Sequence, residues 1–127
     1  MRRLLLLFLL VPSLAKPATA QEAFFGTWGS PAQCAGTSIV PGGTVAAAPI
    51  RIGPAWLTQR NTWCQLHWFD PVARADGIFI TANASCGEDA ARGYRLEMDL
   101  TRAGGRESLT LLWDRGVQNG PLGRCAD

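Results

Sequence analysis

Four cysteines constrain this chain more than any other feature. They stand at positions 34, 64, 86 and 125, all behind an opening segment that reads as an export signal. Arg2 and Arg3 give that segment its positive start, and Leu4 to Leu14 form an apolar stretch too short to span a bilayer. Ala18-Thr19-Ala20 then offers a small-x-small cleavage site. No cysteine follows the cut directly, which argues against a lipid anchor. The pattern predicts a signal peptide over 1–20 and a soluble periplasmic or secreted domain over 21–127. An even number of cysteines in such a chain reads as two disulfides. Zinc sites use close ligand pairs, whereas the gaps here are 30, 22 and 39 positions and His67 is the single histidine. The cysteines are therefore expected as staples, with neither metal nor other cofactor.

Charge narrows the partners. The whole chain carries +2, but Arg2, Arg3 and Lys16 lie in the signal segment. Residues 21–127 keep nine arginines against ten acids, a net −1. That balance lacks the basic footprint of a nucleic-acid binder. At 107 residues the remainder suits one domain and is too short for two.

Two-residue alternation marks the second half as β-structure. Tyr94, Leu96, Met98 and Leu100 take one side of a strand, with Arg95, Glu97, Asp99 and Thr101 on the other. Gly104-Gly105 suits the positive φ angles of a tight turn. Folding there sets Thr101 against Ser108, Leu100 against Leu109, Met98 against Leu111 and Leu96 against Trp113. An earlier hairpin, the first along the chain, pairs 62–70 with 78–86. Placing Cys64 opposite Cys86 sets Leu66 against Ala84, Trp68 against Ala82 and Asp70 against Ile80, large beside small on one face. Directly opposed residues at a non-hydrogen-bonded site can be bridged, so Cys64–Cys86 is expected. Of the three possible pairings, elimination then favours Cys34–Cys125. That bridge closes a loop of about 90 residues, worth about 4 to 5 kcal/mol in the chain-entropy account.

Proline and glycine break the region before the hairpins into short strands near Pro49–Ile52 and Ala55–Gln59. Residues 36–48 show no period and read as a mobile loop. One helical turn is expected in "PAQCA" and another in "CGEDAARG". The fold class is an all-β antiparallel meander of six to eight short strands, a small barrel or a sandwich.

Catalytic groups are hard to assemble from these residues. His67 and Asp70 are three positions apart on a strand, which puts their side chains on opposite faces. Glu97 and Asp99 share a face about 7 Å apart, but Arg95 shares it too, as on an ordinary solvated strand. The outer face of the first hairpin is richer. With Cys64, Leu66 and Trp68 inward, Trp63, Gln65, His67 and Phe69 point outward, and Phe79 lies diagonally from Phe69 within aromatic reach. Exposed aromatic clusters mark interfaces. The bland alternative covers that face with a loop such as 36–48.

The opening Gly26-Thr27-Trp28, in a chain with an Arg124 beside its last cysteine, resembles the Gly-x-Trp start of lipocalin-like barrels. That resemblance implies a Trp28 that closes one barrel end with Arg124 packed on it, a favourable cation–π contact. The opening also looks like that of small periplasmic inhibitors of bacterial metalloproteases, which insert their extreme N-terminus into the protease cleft. In this sequence the inserted stretch would be Gln21 to Phe25, including Phe24 and Phe25. The wider layout, from G-x-W through C-G-E to R-C, is similar to small uncharacterised exported proteins of proteobacteria. Together these readings imply a non-catalytic exported binding protein. Its expected partner is another exported protein, with protease inhibition as one form, and the alternative is a lipocalin-like carrier of a small ligand.

Overall fold

The computed structural model describes residues 19–36, 48–87 and 92–126. The expected signal segment falls outside these residues except for its last two positions. Most of the 36–48 stretch and the turn expected in "CGEDAARG" also lie outside them.

A 3₁₀ turn over Ala20–Phe24 leads into β1 (Gly26–Gly29) and a one-turn helix, α1 (Pro31–Cys34). Then follow β2 (Ile50–Ile52), β3 (Trp56–Gln59), β4 (Thr62–Trp68), β5 (Val72–Arg74) and β6 (Gly77–Cys86). The chain ends with β7 (Gly93–Ala103), β8 (Arg106–Trp113) and β9 (Gln118–Arg124). Every pairing is antiparallel. Eight strands form a closed barrel. Neighbours along the chain pair throughout β1 to β4 and β6 to β9; β9 returns to β1, and β4 pairs directly with β6. β5 stands outside that ring, attached only to the far end of β6. The barrel form is thus the one adopted, and β6 and β7, at 10 and 11 residues, are longer than the short strands expected.

The second hairpin has the register read from its turn, with Thr101 opposite Ser108 and Leu96 opposite Trp113. The first holds its register from Cys64↔Cys86 through Leu66↔Ala84 to Trp68↔Ala82, and then departs from it. Val72, not Pro71, comes to face Phe79, because the 69–71 stretch carries one residue more than the opposing strand. Such an extra residue is a bulge. Asp70 is therefore exposed and unpaired in the ladder rather than opposite Ile80.

Both expected disulfides are present, Cys34–Cys125 with Cα atoms 5.1 Å apart and Cys64–Cys86 at 3.9 Å. α1 positions the first of them. Ser30 Oγ accepts from Gln33 N at 3.2 Å, and Gln33 Oε1 accepts from Ser30 N at 2.7 Å. This reciprocal cap, with Pro31 at the first helical position, fixes a single turn that could not persist alone.

Inward positions of the strands supply the core. Ile50, Ile52, Leu57, Leu66, Ile80, Leu96, Met98, Leu100, Leu109 and Leu111 are all buried, as alternation requires. Large residues of β4 meet Ala82 and Ala84 across the ladder, so that wall packs without crowding. Gly77 lies over the backbone of Leu100, where any Cβ would overlap the Leu100 carbonyl.

One barrel end is filled from the N-terminal side. Phe24 and Trp28 are fully buried, and Trp28 Nε1 donates to the Phe24 carbonyl at 2.9 Å. Arg124, opposite Trp28 in the β1–β9 ladder, sets its guanidinium 4.2 Å from the indole centroid. It also donates to the carbonyls of Phe25 (2.7 Å) and Ala23 (2.9 Å), tying the 3₁₀ turn down. Gly26 has φ +129°, and a Cβ there would sit 2.7 Å from Arg124 Nη1. The glycine of the Gly-x-Trp opening is required by backbone conformation and by space for that guanidinium.

Candidate functional site

The outer wall of β3, β4 and β6 carries the exposed aromatic surface. Trp63 (40% exposed), His67 and Phe69 (56%) face solvent, as alternation with buried Cys64 and Leu66 demands. Beside them stands Trp56 on β3, 46% exposed. Trp56 faces Gln65, and Thr58 faces Trp63, so the two indoles are diagonal neighbours across the β3–β4 ladder. Their rings meet edge to face with centroids 5.2 Å apart. This is a geometry aromatic pairs prefer. Trp56 was missing from the sequence-based candidates. Its signal was nonetheless there, because a strand over 55–59 with Leu57 inward must turn Trp56 outward.

The five indole N–H groups divide by location. Those of Trp28, Trp68 and Trp113 donate to the Phe24 carbonyl, the Pro54 carbonyl and Asn119 Oδ1. Those of Trp56 and Trp63 have no acceptor among the described residues.

Phe69 and Phe79 do not meet. Phe69 keeps the β4 register, its backbone N–H bonding Thr81 O at 2.9 Å, and the extra residue beyond it brings Val72 opposite Phe79. The Phe69 side chain borders an open depression of about 410 Å³ with Thr81, Asn83 and Arg95. Phe79 is half-buried, opposite Val72, with the Arg74 guanidinium 4.8 Å from its ring centroid.

The N-terminal candidates differ more sharply from expectation. Phe24 is a core residue with no exposed surface, so it offers nothing to a partner while the barrel is closed. Phe25 is half-buried, and its ring lies 6.1 Å from that of Trp68. The physical reason is Arg124, whose two carbonyl bonds hold this segment against the barrel end.

The acidic candidates are engaged by arginines on the same wall. Arg95 approaches Glu97 at 3.5 Å and Arg74 approaches Asp99 at 3.2 Å. Glu107 takes a two-point contact from Arg124, Nε at 3.2 Å and Nη2 at 3.3 Å, with Arg102 nearby at 3.6 Å. The hydrogen bond from Arg124 holds the Glu107 carboxyl below its ordinary value, against a smaller opposing effect of burial. Among the described residues no three metal-ligating side chains come together, and no helix is long and apolar enough to cross a membrane.

A second depression, of about 380 Å³, is bordered by Trp56. Thr27, Arg51 and Thr58 stand in one cross-strand row along its floor, with Gly53 at its side. No family model, curated protein or solved structure matches the chain.

Proposed function

We propose that this chain is an exported, non-catalytic binding protein that docks another exported protein on the outer wall of β3, β4 and β6. The exposed Trp56–Trp63 pair carries this reading. Tryptophan is the side chain most enriched at the energetic centres of protein interfaces, and a soluble surface rarely spends two adjacent indoles without use. Gln65, His67 and Phe69 extend the patch along β4 and past its end. Two disulfides fit an oxidising compartment, in keeping with the signal segment.

Protease inhibition is one form of this function. Resemblance to the metalloprotease inhibitors would put the contact at 21–25, but the burial of Phe24 moves it to the indole wall. The carrier alternative has less support, because the barrel interior is occupied by its own side chains, Phe24 and Trp28 among them.

Photo-crosslinking in the native compartment tests the reading. A benzophenone amino acid at position 63 should give a discrete adduct with one protein, and the same group at Thr110 on the opposite wall should not. Equal or absent adducts at both positions would overturn it. Where an adduct forms, assay against secreted proteases decides the inhibitor form.

A further inference from the structure

The depression beside Trp56 has a chemistry of its own. Register places Thr27, Arg51 and Thr58 side by side on the outward face of β1, β2 and β3, and Trp63 continues the row on β4. Arg51 is exposed at the centre of that row. It has no hydrogen-bond or ion-pair partner among the described residues, whereas Arg74, Arg95, Arg102 and Arg124 each meet a carboxylate. No acid occurs on β1, β2 or β3, whose sequences are GTWG, IRI and WLTQ. Among the described residues the result is an uncompensated guanidinium between two threonines, beside a Trp56 indole whose N–H has no acceptor.

Resting on the protein-binding reading, we propose that this depression receives an acidic side chain, Asp or Glu, of the docked protein. A guanidinium takes a carboxylate through two parallel N–H bonds, and the flanking threonine hydroxyls can donate to its remaining lone pairs. The Trp56 indole, which borders the depression and packs against Trp63, covers the methylene stem of the acid. A basic side chain is repelled by Arg51, and a neutral amide leaves the guanidinium half-satisfied.

The test uses the oxidised 21–127 chain, ¹⁵N-labelled, and reads its indole N–H resonances. The probes are two acetylated and amidated peptides, Ala-Leu-Glu-Leu-Ala and Ala-Leu-Gln-Leu-Ala, titrated to millimolar concentration. With the Glu peptide the Trp56 resonance should shift saturably while that of buried Trp28 stays fixed. The Gln peptide, and the Glu peptide against Arg51→Gln, should each bind about tenfold more weakly. Arg51→Lys should recover part of the loss. Equal response to both peptides, indifference to Arg51→Gln, or no shift at Trp56 would overturn the acidic subsite. Crosslinking through position 63 separates this from the wider reading. Adducts that persist undiminished in Arg51→Glu mean the wall docks a protein without an acidic anchor, whereas loss of all adducts in the native chain removes the docking itself.

Discussion

Arg124 joins three parts of the molecule through one side chain. Its guanidinium lies on Trp28, bonds the carbonyls of Ala23 and Phe25, and meets Glu107 at two points. Because that contact lowers the Glu107 carboxyl below its ordinary value of 4.5, the pair stabilises the fold fully above that value. The contribution is lost as pH falls through the lower folded value. Replacing Glu107 by Gln should therefore cost about 1 kcal/mol near neutral pH, a modest figure because the pair is partly solvated. The gap between native and E107Q chains, measured by urea unfolding, should close as pH drops below about 4.5. A gap that is constant with pH would show that the carboxylate charge adds nothing.

Among the elements, β5 is the weakest. It pairs with β6 at three positions only, its three residues are all exposed, and among the described residues its outer edge has no neighbouring strand. Local opening of such a segment costs about 1 kcal/mol or less, against several for a strand in the middle of the barrel. Amides of Val72 to Arg74 should exchange with deuterium far faster than those of Leu96 to Leu100 on β7. Comparable protection would mean β5 belongs to the cooperative core. This element also shows where sequence reasoning stops. The β7–β8 register was legible because two glycines fix the turn and apolar residues then meet at every step. Cys64 and Cys86 did the same for β4 and β6 as far as Trp68. Beyond it, "FDPVARADG" contains no period, and only pairing in space reveals that one residue is extra. Burial of Phe24 was illegible for a related reason. A phenylalanine in a short polar-flanked segment is buried only if a distant strand returns with Arg124 to hold it there.

At the scale of the whole barrel, closure depends on two unequal seams. β4 and β6 share five register pairs around Cys64–Cys86, whereas β1 and β9 share only Trp28↔Arg124 and Gly29↔Gly123. The thinner seam joins the two ends of the described chain, so its closure carries the largest loop entropy. Cys34–Cys125 spans it with a sequence separation of 91, against 22 for the other bridge. In the chain-entropy account these separations correspond to about 4.6 and about 3.4 kcal/mol. The C34A/C125A double variant should accordingly lose more stability than C64A/C86A in urea unfolding at neutral pH. Local context pushes the same way, since the remaining β4–β6 ladder can hold its register without a bridge, whereas the β1–β9 seam keeps only two register pairs, the Cys125 N–H bond to the Thr27 carbonyl and the Arg124 contacts. If C64A/C86A were instead the less stable variant, the first hairpin and not the terminal seam would control whether the barrel stays shut.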